Sequence, residues 1–264
     1  MTILDKINEY KREEVFRSKS ITSIAELESS PGFGRKCNSL KDRLLSRDSS
    51  GIIAEFKRKS PSKEEIKKDA NVVEITTAYT EQGAAGISVL TDTSFFGGSK
   101  SDLIKAREAN PTTPLLRKDF MIDCYQLYEA KSWGADVVLL IAASLQPEKI
   151  SELSKKAHDL GMEVLLEVHN EEELASSPME HIDIVGVNNR NLKNFNESNI
   201  NASLNLFASI PADKVKISES CINDPMSIKK LREAGYNGFL IGESFMKTPD
   251  PGLALKTYIL EARA

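Results

Sequence analysis

Three features of the sequence predict an α/β fold, a closed (β/α)8 barrel of the TIM-barrel type with an N-terminal helical extension. First, one joint recurs: a helical tail, a glycine, then an apolar strand, at Gly83, Gly134, Gly161 and Gly235. Second, those glycines lie 51, 27 and 74 residues apart. These gaps are close to two, one and three units of roughly 25 residues, the size of one strand–helix repeat. Third, the strands after the joints are nearly continuous apolar runs, the pattern of a parallel sheet covered on both faces. Further strands at Ile52–Phe56, Leu115–Arg117, Ile184–Asn188 and Val215–Ser218 bring the count to eight. Eight alternating units favour closure over an open sheet.

Residues 1–48 stand outside this rhythm. Thr2-Ile-Leu-Asp5 and Ser23-Ile-Ala-Glu26 read as capped helix starts, and Leu40, Leu44 and Leu45 mark a third short helix. This stretch is expected to pack against one end of a barrel formed by residues 49–264, within a single domain. In the barrel, glycine at each joint suits the position after a helix, where φ turns positive and a Cβ is penalised. Helical patterns such as Val72, Val73, Ile75 and Tyr79 fill the intervals.

Composition narrows the function. A net charge of −4 argues against nucleic acid as the main partner. The three cysteines, Cys37, Cys124 and Cys221, form no CxxC, and His158, His169 and His181 show no metal-ligand spacing. No disulfide framework or metal is expected, and Cys37 and Cys124 are expected as buried small apolar residues. The longest apolar run, Val137–Ala143, is too short to span a bilayer, and the first residues lack an apolar signal core. A soluble, cytoplasmic protein with no membrane partner is expected.

Active sites of such barrels form at the C-terminal ends of the strands, and here functional side chains end several of them. Strand 1 finishes Glu55-Phe56-Lys57, its two charges on one side because strand side chains alternate. Strand 3 ends Arg117-Lys118-Asp119-Phe120, strand 5 Glu167, strand 6 Asn188-Asn189-Arg190 and strand 7 Glu219-Ser220. One such residue reads as readily as a solvated rim charge. Five strands ending this way point instead to a mixed-charge cluster able to do acid–base chemistry. Strand 8 ends Ile241-Gly242-Glu243-Ser244, and small residues there and around Ser220 let backbone N–H groups approach a phosphate. The first loop, Lys57-Arg-Lys-Ser-Pro-Ser-Lys63, adds hydroxyls and positive charge. Gly97-Gly98 could line the pocket or shape a loop. His169 reads as a loop histidine before a catalytic one, and Trp133 as helix-face core.

The ordered motifs Ile53-Ala-Glu-Phe-Lys-Arg-Lys-Ser-Pro-Ser-Lys63, Val89-Leu-Thr-Asp, Phe96-Gly-Gly-Ser99, Leu116-Arg-Lys-Asp-Phe120, Leu165-Leu-Glu-Val-His169, Gly186-Val-Asn-Asn-Arg-Asn-Leu192, Ile217-Ser-Glu-Ser220 and Ile241-Gly-Glu243 resemble those of the indole-3-glycerol-phosphate synthases. The resemblance covers residues from about 50 to 247, and the helical extension is also a family feature. It implies a carbon–carbon carboxy-lyase of tryptophan biosynthesis. Its substrate would be 1-(2-carboxyphenylamino)-1-deoxyribulose 5-phosphate, a phosphorylated aromatic small molecule, turned over without metal or organic cofactor. By this resemblance Lys118 is the general acid that protonates the ketone, and Glu167 and Lys57 serve the later proton transfers. Glu55 orients the lysines, while Asn188, Arg190 and Glu219 position the substrate and the polar network. Ser60, Ser220, Gly242 and Ser244 would hold the phosphate, and Phe96, Phe120, Leu139 and Leu140 would wall the aryl ring.

Two residues depart from the family pattern. Cys221 stands where a glycine usually follows Ser-Glu-Ser, and Glu64 where a glycine usually follows Ser-Pro-Ser-Lys. Weaker substrate binding is expected from them. A monomer is expected. The competing readings are a Schiff-base aldolase, using a barrel lysine as nucleophile, and a non-catalytic barrel that senses a phosphorylated ligand.

Overall fold

The structure is a computed structural model that describes residues 2–60, 65–190 and 199–263. Glu64, the loop stretch 61–64 and the Asn191-Leu192 end of the sixth motif lie outside the described residues. Among the described residues, eight parallel strands pair in sequence order: β1 (Ile52–Phe56), β2 (Gly86–Leu90), β3 (Leu115–Lys118), β4 (Val137–Ile141), β5 (Glu163–Val168), β6 (Ile184–Asn188), β7 (Val215–Glu219) and β8 (Gly238–Ile241). β8 pairs with β1, Ile53 opposite Leu240, and the sheet closes into the barrel that the sequence predicts. The helices are α1 (Ile3–Ile21), α2 (Ile24–Glu28), α3 (Leu40–Leu45), α4 (Val72–Glu81), α5 (Lys100–Ala109), α6 (Cys124–Ser132), α7 (Pro147–Asp159), α8 (Glu171–Ser176), α9 (Asn201–Leu206), α10 (Pro225–Ala234), α11 (Glu243–Met246) and α12 (Pro251–Arg263).

Local chemistry sets these boundaries. Thr2 and Ser23 form capping boxes with Asp5 and Glu26, each satisfying backbone donors that a helix start would otherwise leave unpaired. The four joint glycines all lie in the left-handed region, with φ of 89° at Gly83, 91° at Gly134, 73° at Gly161 and 105° at Gly235.

Strand alternation divides the core into two layers. One face of the strands, with Ile53, Leu116, Val137, Leu139, Leu165, Ile184, Ile217 and Leu240, fills the barrel interior. The other, with Ala54, Phe56, Ile87, Val138, Leu140, Leu166 and Phe239, packs under the helices. Cys37 and Cys124 are half-buried against that outer layer, more open than expected. Trp133 packs there too, under the Arg117 guanidinium at 4.1 Å from its ring centre.

The extension meets both ends of the barrel, where one was expected. At the N-terminal end, Leu40 and Leu44 of α3 enter the interior core over Gly86 and Gly238, the first residues of β2 and β8. A Cβ on Gly86 would lie 2.6 Å from Leu40 Cδ1, so glycine is what lets this plug seat. Glu163, which opens β5, accepts from the backbone N–H groups of Leu40 (2.9 Å) and Lys41 (3.0 Å) and from the Ser39 hydroxyl. Each plugging leucine contributes roughly 1.5–3 kcal/mol of apolar burial. At the opposite end, α1 lies over the C-terminal mouth. Its Lys11 is fully buried, with Nζ 2.9 Å from Asp119 and 3.2 Å from Asp92. No described helix is long and apolar enough to cross a membrane.

Candidate active site

Closing the sheet brings the functional strand ends around one cavity of about 590 Å3 at the C-terminal mouth. Glu55 from β1 and Lys57 just beyond it pair at 2.8 Å, as alternation along the strand predicts. Lys118 ends β3 and crosses the barrel to two carboxylates. Its Nζ lies 2.8 Å from Oε2 of Glu167 on β5 and 2.8 Å from Oε2 of Glu219 on β7. Asn188, at the end of β6, donates Nδ2–H to Glu167 Oε1 at 3.0 Å, and the Ser88 hydroxyl donates to Glu55 Oε2 at 3.2 Å.

Burial magnifies each charge here, because little water screens it. Burial alone would strip the Lys118 proton, but Glu167, Glu219 and Glu55 outweigh it and hold the ammonium charged far above its ordinary range. Burial likewise works to raise Glu167, yet Lys118 and His169 together with the Asn188 hydrogen bond hold it ionised well below the carboxylate range. Glu219 goes the other way. Burial, helped by the charges of Glu167 and Glu55, outweighs Lys118 and pushes its carboxyl up to about 7. Its Oε1 has no hydrogen-bond partner among the described residues. Two carboxylates on one lysine thus differ in protonation: one is firmly ionised and the other sits close to its titration point.

The walls are apolar. Phe96 and Phe120 lie 5.9 Å apart between ring centres, and Leu90, Leu139, Ile141 and Leu240 continue the surface. Ile3, Leu4 and Ile7 of α1 close it from above. Twelve of the sequence-selected residues line this cavity: Glu55, Lys57, Ser60, Phe96, Lys118, Phe120, Leu139, Glu167, Asn188, Arg190, Glu219 and Ser220. Arg190 hydrogen-bonds through its N–H to Asn188 Oδ1 at 3.0 Å, and its guanidinium lies 3.9 Å from Glu243.

Three sequence-selected residues are not among the lining. Leu140 is a correction: it points outward into the layer beneath the helices, and its neighbours Leu139 and Ile141 face inward. Period-two alternation along β4 forces that choice, because adjacent strand residues cannot share a face. Gly242 sits behind Glu55, where an added Cβ would fall 2.7 Å from Oε1, so its smallness makes room for that carboxylate. It also caps the start of α11. The Ser244 hydroxyl donates to the Ile222 carbonyl at 3.1 Å. Gly98 shapes its loop, since a Cβ there would strike the Leu90 carbonyl, and Gly97 has φ of 65°.

Sequence reasoning missed Asp119, His169, Ile141 and the α1 side chains. His169 follows Glu167 by two residues on β5's continuation, so the alternation already applied to Glu55 and Lys57 would have placed it on the same face. Lys11 carries no such signal, for a lysine on a polar helix ordinarily faces water. It acts through Asp92, which accepts from the Phe95 and Phe96 N–H groups, and through Asp119, which accepts from Phe120 N–H at 2.9 Å. Both aromatic walls therefore hang from carboxylates that Lys11 neutralises. Past β7, Ser220 and Cys221 are the positive-φ non-glycine residues of the described chain, at 64° and 58°. Among the described residues no cluster of His, Cys, Asp and Glu is arranged to hold a metal ion.

Comparison with known proteins places this geometry in a family. A sequence model of the family described as indole-3-glycerol phosphate synthase matches residues 4–258. An indole-3-glycerol phosphate synthase of Bacteroides thetaiotaomicron is 50% identical over 257 residues, covering 97% of each chain. One from a Polaromonas species is 43% identical over 256 residues, covering 96% of each. Among solved structures, 3-hexulose-6-phosphate synthase of Salmonella typhimurium superposes with a TM-score of 0.63 at 12% identity, covering 80% of this chain and 99% of that one. At that identity the likeness concerns the barrel alone.

Proposed function

The chain belongs to the indole-3-glycerol phosphate synthase family, and we propose that its barrel mouth converts 1-(2-carboxyphenylamino)-1-deoxyribulose 5-phosphate to indole-3-glycerol phosphate, CO2 and water. The observation that carries the mechanism is the Lys118 ammonium, suspended between Glu167 and Glu219 beside an aromatic wall. In this reading the aryl ring lies between Phe96, Phe120 and the Leu139 side of the barrel. Lys118 gives its proton to the ketone oxygen as the aryl carbon bearing the carboxylate attacks the carbonyl. The carboxylate then leaves as CO2, restoring aromaticity. The new hydroxyl departs as water, with Lys57 supplying a proton and Glu167 removing one from the carbon chain. Glu55 holds Lys57, and Asn188 and Arg190 hold the substrate's polar edge.

The phosphate would sit near Ser60, Ser220 and the backbone of Gly242 and Ser244. A lysine kept charged by two carboxylates is a proton donor and a poor nucleophile, which disfavours the Schiff-base reading. We place the activity in the cytoplasm, in a monomer whose extension and barrel act as one unit, with neither nucleic acid nor membrane as partner.

The test is turnover of the carboxyphenylamino-deoxyribulose phosphate, followed by indole fluorescence, for the native protein and Lys118→Ala. Product from the native chain and its loss in the variant are expected. Folded native protein that makes no product would overturn the reading.

A further inference from the structure

We propose that His169 is a positioning residue for this reaction, its imidazolium clamped by Glu173 so that Glu167 stays ionised and ready to accept a proton. The inference rests on the reading above, in which Glu167 is the acceptor.

The geometry is a line of three side chains. Glu173, in α8, is itself fixed: its Oε1 accepts from Asn170 Nδ2 at 2.8 Å and its Oε2 from the His169 backbone N–H at 2.8 Å. The same Oε2 faces His169 Nδ1 at 3.2 Å. A carboxylate there selects the ring form with hydrogen on Nδ1. The opposite ring nitrogen, Nε2, then faces Glu167 Oε1 at 3.6 Å. A bare Nε2 lone pair pointed at an ionised carboxylate oxygen is repulsive, so a proton belongs on Nε2 and the ring carries positive charge.

The surroundings agree on every side. Glu167 on β5, Glu173 on α8 and Glu219 on β7 are the charged groups acting on the ring, and all are acidic. Lys118 on β3 is the nearby cation, and it is tied to Glu167 and Glu219. Burial opposes the ring's charge, but the Glu173 hydrogen bond and the carboxylates prevail and raise its affinity for protons. His169 lines the cavity, yet its partners are protein carboxylates, so it acts through Glu167. Without it, Glu167 would keep only Lys118 and the Asn188 hydrogen bond to stay ionised beside Glu219 and Glu55.

The experiment is the pH profile of kcat for the native protein, His169→Gln and Glu173→Gln. Glutamine keeps an amide donor near Glu167 but carries no charge. The acid limb is expected to move upward in both variants, further in His169→Gln. At the acid end of the profile kcat of that variant should fall about twofold or more below native, and by about pH 8.5 it should return to the native value, since a Glu167 of raised pKa is ionised again there. A loss equal at all pH values, or an unmoved limb, would reduce His169 to a structural group and overturn the proposal. A nitrogen-15 titration of the imidazoles gives a readout independent of turnover. The His169 signal should titrate above the ordinary histidine value and move down in Glu167→Gln and Glu173→Gln. If the native protein makes no product, the reaction assignment fails while this titration still decides the His169–Glu167 coupling. A His169 titration unmoved by Glu167→Gln would refute it.

Discussion

Two buried lysines, Lys118 and Lys11, sit in the same electrostatic setting and do different work. Each is held by carboxylates, Glu167 and Glu219 for one, Asp119, Asp92 and Glu14 for the other. Each is kept charged well above its ordinary range, burial being overcome by the carboxylates. The Lys11 side chain is 0% exposed, whereas Lys118 retains 14% and lines the cavity. A buried ion pair is open to chemistry only where a ligand can reach it. Where none can, it fastens one element to another, here α1 to the loops that carry Phe96 and Phe120.

Exchanging the charge for a neutral chain at each site should separate the two roles. Lys118→Met is expected to lower kcat by about 10^3-fold or more with the fold retained, because a general acid is worth on the order of 10^2–10^4. Lys11→Met leaves the buried Asp92 without its cation and Asp119 with Arg117 alone, and it should cost about 3–5 kcal/mol of stability in a denaturant titration. Any kcat loss there should follow from displaced aromatic walls, and so should appear together with a raised KM. A Lys11→Met variant as stable as the native protein would erase the distinction.

Proton linkage sharpens the same comparison. Asp119 is held far below its ordinary range, burial being outweighed by Lys11 and Arg117. A carboxyl with depressed folded-state pKa contributes stability that is present above its unfolded value, about 3.9, and lost as pH falls below it. Glu219 runs opposite. Raised to about 7, it binds a proton in the folded chain over a window where the unfolded chain, at about 4.3, does not, so stability should decline as pH rises between those values. Stability measured against pH should therefore fall less steeply toward acid in Lys11→Met, where Arg117 still holds Asp119, and lose its decline toward neutrality in Glu219→Gln. Both slopes unchanged would mean that neither cluster is coupled to protons as the geometry implies.

A smaller perturbation tests how tightly the catalytic side is packed. Gly186 on β6 lies against Glu219, where an alanine Cβ would land 2.2 Å from Oε1. Gly186→Ala must displace that carboxyl from Lys118, and kcat is expected to drop about tenfold, a little over 1 kcal/mol of barrier. Retained kcat would show that the Glu219–Lys118 contact is dispensable.

The asymmetry between the two lysines also marks what the sequence could disclose. Glu55, Lys118, Glu167, Asn188 and Glu219 end strands, so the rule that a barrel works at its C-terminal mouth brings them together before any coordinates exist. The joint glycines gave away the repeat because a positive φ leaves a chemical trace in the residue chosen. Alternation was as informative where it was applied. It paired Glu55 with Lys57, and carried one step further it would have put Ile141 in place of Leu140 and drawn in His169. Lys11 was not legible in this way. Its partners lie 81 and 108 positions along the chain, no local period links them, and the same lysine on a free helix would be solvated. The Leu40 and Leu44 plug was visible as a helix, but the barrel end it fills depends on Gly86 and Gly238, far away in sequence.

The least effect is expected at Cys221, where sequence and geometry meet most closely. Its backbone has φ of 58°, directly after Ser220 at 64°, at the end of β7. A residue with a Cβ pays roughly 1–2 kcal/mol in the left-handed region, and glycine does not. Cys221→Gly is therefore expected to relieve strain, offset in part by the wider freedom glycine gives the unfolded chain. The net gain in stability should stay below about 1 kcal/mol. Because Ser220 lines the cavity, a relaxed turn should let its backbone close on an anion with less distortion, and KM should fall a few-fold with kcat unchanged. The split matters, since a turn that only binds phosphate affects ground state and transition state alike. If KM stays the same or rises, the strain at Cys221 is carried by the fold and not by the ligand site.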